Sequence, residues 1–95
     1  MSSFFRHEPE NGRFVLPMDE GRVFADYTRE TDTLLITHVE ADPKLRGTGA
    51  ADRFMRELVG HARQEGLKLR PLCSYAAAWM TRHPDESKDV LGTGF

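Results

Sequence analysis

A single cysteine, a single tryptophan and the want of any long apolar run set the first limits on this 95-residue chain. With Cys73 alone, neither an internal disulfide nor a cysteine-built zinc site is available. The histidines, His7, His38, His61 and His83, are too scattered for a cluster, so no metal is expected. No stretch approaches the roughly 18–20 apolar residues of a membrane span, and the N-terminus lacks the basic-then-apolar layout of a secretory signal. A cytoplasmic protein with no membrane partner is therefore expected. The formal charge of −2 leaves no cationic excess to attract nucleic acid. One domain over residues 1–95 is expected, burying about 60–65% of the surface its unfolded chain would expose.

What is present divides near residue 46. Before it, turn signals at short intervals separate strand-like runs. Phe4 to His7 and Arg13 to Leu16 flank Glu10-Asn11-Gly12, where Asn-Gly predicts a tight hairpin turn. Arg22 to Thr28 alternates Val23, Ala25 and Tyr27 with Phe24, Asp26 and Thr28. After a turn at Glu30-Thr31-Asp32, Thr33 to Val39 predicts a central strand, with Leu34, Ile36 and His38 on one face and Leu35, Thr37 and Val39 on the other.

From Gly47 the period changes. Ala50, Ala51, Phe54, Met55, Leu58, Val59 and Ala62 share one helical face, Asp52, Arg53, Arg56, Glu57, His61, Arg63 and Gln64 the other, and Gly66 follows as a stop. The charged face reads as a solvent face. Leu67 to Leu72 predicts a short strand. Ser74 is suited to cap a second helix through Trp79 and Met80, which His83-Pro84 ends before a short final turn. The fold class is α+β.

The stretch "LRGTGAADRF", Leu45 to Phe54, places two glycines at the start of the long helix. Helix N-termini carry N–H groups without intrahelical partners and the positive end of the dipole, so anions bind there. The spacing discriminates among nucleotide motifs. Gly47-Thr48-Gly49 is not followed by the Gly-Lys-Ser/Thr of a P-loop, and Asp52 stands where a dinucleotide fingerprint has its third glycine.

Arg46-Gly47-Thr48-Gly49-Ala50-Ala51 has the form Arg/Gln-x-x-Gly-x-Gly/Ala, and its context, "THVEADPKLRGTGAADRFM", is strand, proline, loop and helix. It resembles the acyl-CoA loop of the GNAT (general control N-acetyltransferase) superfamily. With "RPLCSYAAAWMTRHP" and the short length, the chain is similar to the minimal single-domain GNAT-like subfamily over about residues 13–91. The resemblance implies a mixed, mostly antiparallel sheet with a long helix after the central strand and a short C-terminal helix. It implies acetyl-CoA as cofactor, Arg46, Gly47, Thr48, Gly49, Ala50 and Ala51 around the CoA diphosphate, and the backbone of Val39, Glu40 and Ala41 beside the pantetheine where the central strand splays from its neighbour.

Cys73 falls where the dipole of the second helix begins, its positive end toward the thiol. It reads as acyl acceptor, as acid for the CoA thiolate, as a lining of the acceptor pocket, or as a small apolar core residue. The subfamily's cysteine at this place favours the active site. His38 is suited to take the amine proton or to pair with Cys73, or else to serve as a hydrogen-bonded strand residue. Glu40 is placed on the face opposite His38, as a base or as a solvated carboxylate. Tyr75 and Trp79 read as packing, Lys44 as a surface charge or an attraction for phosphate, and Arg82, His83 and Lys88 as candidates for the nucleotide 3′-phosphate. Thr33 stands in the strand region where histone-type members carry a general-base glutamate.

The expected function is acetyl-CoA-dependent N-acetyl transfer to an amine, whether protein lysine, peptide or polyamine, directly or with Cys73 taking part. A CoA-binding or partner-interaction module with little activity is the alternative. A monomer or weak dimer is expected, and a cavity joining Gly47 to Cys73 is the structural sign sought.

Overall fold

Strand-forming residues fill the first half of the chain and a long amphipathic helix follows, and the computed structural model, which describes residues 4–92, arranges them as one sheet under helices. The strands are β1 (Arg6–Glu8), β2 (Arg13–Met18), β3 (Gly21–Glu30), β4 (Thr33–Ala41) and β5 (Lys68–Pro71). The α-helices are α1 (Ala50–Glu65), α2 (Ser74–Arg82) and α3 (Pro84–Ser87). The sheet order is β1-β2-β3-β4-β5. Its first three pairings are antiparallel, and β5 joins β4 in parallel after the α1 crossover. This is the mixed, mostly antiparallel α+β sheet the sequence implies.

The first turn is wider than Asn-Gly alone predicts. Pro9 fixes φ for a 3-10 turn over Pro9–Asn11, so only Gly12, at φ 59°, takes the left-handed conformation. Strand β1 accordingly begins at Arg6 and pairs His7 with Phe14. The β2–β3 and β3–β4 turns are tighter, with Met18 opposite Gly21 and Glu30 opposite Thr33.

A bulge redirects β4. Asp26 pairs with His38 and Tyr27 with Ile36, which leaves Thr37 as the extra residue, its hydroxyl donating to the Asp26 carbonyl at 3.2 Å. The simple alternation therefore fails beyond Ile36. Leu34 and Ile36 are buried under the helices, but Val39 and Ala41 now pack against that core, and His38 is exposed.

The core lies between one sheet face and α1. Phe54, Met55, Leu58 and Ala62 are fully buried against Phe14, Leu16, Val23, Ala25, Leu34 and Leu69. Burying a side chain such as Phe54 stabilises by about 1.5–3 kcal/mol. Gly66 closes α1 at φ 69°, its N–H on the Ala62 and Arg63 carbonyls. Helix α2 adds Ala76, Trp79 and Met80 to the same core, as expected for Trp79. Its N-cap is Cys73 rather than Ser74, which is the first helical residue, and no side chain caps it. Among the described residues no helix is long and apolar enough to cross a membrane.

The charged face of α1 is not simply solvated. Arg63 makes a two-pronged pair with Asp89 at 2.5 and 2.9 Å, Arg56 pairs with Glu86, and Asp52 accepts the Trp79 indole N–H at 2.8 Å. The polar side of α1 thereby holds α2 and α3.

Candidate active site

The glycine loop is built from Asp42 onward. Asp42 caps a 3-10 turn over Pro43–Leu45, accepting the Lys44 N–H on its carboxylate at 3.1 Å and the Leu45 N–H on its carbonyl at 2.8 Å. Leu45 is buried and anchors the turn. Thr48 then spends its own groups on the loop. Its N–H and hydroxyl donate to the Leu45 carbonyl at 3.2 and 2.5 Å, and the hydroxyl oxygen accepts from the Ala50 N–H at 3.3 Å. Arg46 donates its N–H to Pro43, and Arg53 donates to Gly49 at 3.0 Å.

What remains is a set of open donors. Among the described residues, the N–H groups of Gly47, Gly49, Ala51 and Asp52 have no protein acceptor. They cluster at the start of α1, where the helix dipole adds positive potential. A Cβ at Gly47 or Gly49 would meet nothing within 4 Å, so the outer side of the loop is open to a bulky group. A diphosphate fits such a donor set, which supplies N–H groups without requiring side-chain cations. Of the six loop residues, Arg46, Thr48 and Ala50 shape the loop with their N–H groups, while those of Gly47, Gly49 and Ala51 have no acceptor among the described residues.

Beside the loop, β4 and β5 part. Their pairing stops at Ile36 and Pro71, where the chain leaves β5 and turns into α2. The next N–H groups, of Leu72 and Cys73, both turn onto the Ile36 carbonyl, at 2.9 and 3.0 Å. Strand β4 runs on to Ala41 with β3 as its partner, Ala25 opposite Val39, Phe24 opposite Glu40 and Val23 opposite Ala41. The β5-side edge of Val39, Glu40 and Ala41 is consequently open, beside the point where α2 begins.

Cys73 is a half-buried free thiol packed against the core at the N-cap of α2. His38 lies on the other sheet face, its Nε2 3.0 Å from Glu40 Oε1 and its ring 6.0 Å from that of Phe24. Two expectations are corrected here. His38 and Cys73 do not form a pair, because the Thr37 bulge turns His38 away from the helices. His38 and Glu40 are not on opposite faces, since a strand period of two puts residues two apart on the same face.

The other candidates are either packed against the fold or exposed. Tyr75 packs half-buried against the core, and burial followed by the Asp52 charge raises its phenol above the ordinary value, so it stays protonated near neutral pH. His83 stacks on Trp79 at 4.2 Å with Nδ1 2.8 Å from the Trp79 carbonyl, so its ring faces the fold. Lys44, Arg46, Arg82 and Lys88 are exposed. A cleft of about 360 Å³ adjoins the loop, walled by Glu20, Lys44, Gly49 and Arg53 among others, but Cys73 is not among its walls. The loop rests on buried Leu45 and Ala50, so the hollow lies toward the β2–β3 turn rather than toward Cys73.

Sequence reasoning missed two residues that shape this site. Pro71, the last residue of β5 to pair with β4, was visible as a proline inside a predicted strand. Asp52, assigned to a solvent face, had its spacing of four from Arg56 as a local signal, but nothing local marked Trp79 as its partner.

Comparison with known proteins bears directly on this arrangement. The model of the GCN5-related N-acetyltransferase family matches residues 13–90. The chain belongs to the GCN5-related N-acetyltransferase family. This acetyltransferase also superposes on the solution structure of a "GCN5-like putative N-acetyltransferase" from Staphylococcus aureus, with a TM-score of 0.70 and 21% identity over 96% of this chain and 89% of that one. At that identity the likeness speaks for the fold. No curated protein matches the acetyltransferase.

Proposed function

We propose that the protein transfers the acetyl group of acetyl-CoA to an amine, holding the CoA diphosphate on the loop from Arg46 to Ala51. The observation that carries this reading is the set of open N–H groups at Gly47, Gly49, Ala51 and Asp52, immediately beyond the β4 edge that β5 leaves unpaired. Bound acetyl-CoA supplies the thioester and a thiolate leaving group. The chain supplies the rest. The open backbone edge of Val39, Glu40 and Ala41 offers hydrogen-bonding groups to an extended amide-containing arm, as a sheet edge does for an added strand. His38, oriented by Glu40, accepts the proton that the ammonium must lose before it attacks. Cys73, at the start of α2, returns a proton to the departing thiolate.

The separation of His38 from Cys73 favours direct transfer. A base on the outer sheet face and an acid on the core side serve an attacking amine and a leaving thiolate that occupy opposite sides of one carbonyl. A covalent relay would instead require the base beside the cysteine. The acceptor is an amine-bearing small molecule or a protein lysine, reached across the exposed outer face.

Calorimetric titration with acetyl-CoA, followed by mass spectrometry of a panel of polyamines and lysine peptides, tests the proposal. Binding and an acetylated amine are expected. Binding without any acetylated product would favour a CoA-binding module, and no binding would overturn the CoA reading.

A further inference from the structure

We propose that Asp52 is a positioning residue, coupling the anion-binding start of α1 to the Cys73 end of α2 through Trp79. The inference rests on the proposed function. Asp52 belongs to both structures at once. Its N–H is one of the open donors of the loop, while its carboxylate accepts from the Trp79 indole at 2.8 Å through Oδ1 and from Arg56 Nε at 3.0 Å through Oδ2. A carboxylate in the first turn of a helix stabilises the helix but competes with an anionic ligand for the same positive potential. Here the carboxylate is engaged away from the loop by two donors, and those hydrogen bonds, with Trp79 first, hold its pKa below the ordinary value. Of these donors, Trp79 belongs to α2 and Arg56 to α1 itself.

Trp79 is 2% exposed and sits within α2, a single helix of nine residues whose N-cap is Cys73. His83 stacks on one side of the indole, and Arg56 stands 5.6 Å over the ring. A displacement of Asp52 therefore reaches the indole through a hydrogen bond, and the indole is part of the helix that carries Cys73 and Tyr75. Filling the loop sets the placement of that helix.

Trp79 is the chain's one tryptophan, so its emission reads the contact directly. Acetyl-CoA is titrated into the full chain with calorimetry for binding and fluorescence for Trp79, using the parent, Asp52→Ala and Asp52→Asn. The Asn variant keeps an oxygen acceptor for the indole and so serves as the conservative rescue. An emission change on binding is expected in the parent and in Asp52→Asn and absent from Asp52→Ala. Asp52→Ala should lower kcat about tenfold with KM for acetyl-CoA within about twofold, the size expected for one hydrogen bond to a charged group, and Asp52→Asn should recover most of kcat. Acetyl-CoA binding with no emission change in the parent, an emission change that persists in Asp52→Ala, or a raised KM at unchanged kcat overturns this inference alone. Absence of acetyl-CoA binding to the parent overturns the proposed function and this inference with it.

Discussion

The backbone N–H of Cys73 donates to the Ile36 carbonyl at 3.0 Å, so the residue at the head of α2 is held by its main chain and not by its thiol. Replacing the side chain should leave α2 in place. Cys73→Ala is expected to change stability by no more than about 1 kcal/mol, since the side chain is half-buried and has no hydrogen-bond partner among the described residues. Acetyl-CoA affinity should stay at the parent value while kcat falls about 100-fold, within the range of a lost general acid. Rapid-quench mass spectrometry of the parent should show no acetyl-Cys73. Its accumulation at a rate matching turnover would overturn direct transfer.

Gly47 and Gly49 stand at φ 77° and 81° with open space where a side chain would go. Alanine at either position brings backbone strain without a clash, costing about 1–2 kcal/mol. Denaturant titration should find that loss. If the loop N–H groups hold a diphosphate, Gly49→Ala should also weaken acetyl-CoA binding by about tenfold, the size of one hydrogen bond to a charged group. Acetyl-pantetheine, which lacks the diphosphate, should bind parent and variant alike. Equal weakening of both ligands would place the effect outside the diphosphate contact.

The elements were legible because their signals are local. Alternation marked β3, the helical period marked α1 from Ala50 through Ala62, and Gly66 and Pro84 marked ends where φ constraints act on one residue. The loop was legible for the same reason, as two glycines before an apolar helical run. The bulge at Thr37 was not, since it exists only as a mismatch in register between β3 and β4, and it reversed the face assigned to His38. The tie between Asp52 and Trp79 joins residues far apart in sequence, and a charged residue on a polar helix face carries no local mark of such a partner. The family resemblance supplied the reading of the glycine loop as a CoA site and the interest of Cys73; the open edge of β4 follows from where the chain leaves β5, with Leu72 and Cys73 both on the Ile36 carbonyl.

His7 Nε2 meets the Tyr27 hydroxyl, and the imidazole stacks on Phe14 at 4.4 Å with His61 5.5 Å away. His7 as a residue is exposed, yet one ring face is covered by Phe14. Burial, and then the neighbouring His61, lower its pKa below the ordinary 6.5. A histidine with a lowered folded pKa binds fewer protons in the native state than in the unfolded state just below pH 6.5. Its effect on stability is therefore absent above that pH, grows as a loss while the pH falls, and levels off below the folded value. Thermal melts from pH 8 to pH 5 should show a decline beginning near 6.5 that is smaller in His7→Phe. A variant curve parallel to the parent's would assign the decline to other groups.

Gly21 lies on β3, off the glycine loop, yet its substitution should reach that loop. Its φ is 145°, and a Cβ there would fall 2.5 Å from Asp42 Cβ and 2.6 Å from Asp42 Cγ. Asp42 has little room to retreat, because its N–H is bound to the Arg22 carbonyl at 3.0 Å and its carboxylate caps the Lys44 N–H. Gly21→Ala is expected to destabilise the fold by about 2–4 kcal/mol, combining overpacking with backbone strain. It should also weaken acetyl-CoA binding, since moving Asp42 loosens the Pro43–Leu45 turn from which the loop departs. The contact itself is tested in an Asp42→Gly background, which removes the clashing side chain. There Gly21→Ala should cost less by about 0.5–3 kcal/mol, the coupling expected of residues in direct contact. Additive losses would show that strain at Gly21 alone, and not its collision with Asp42, sets the cost.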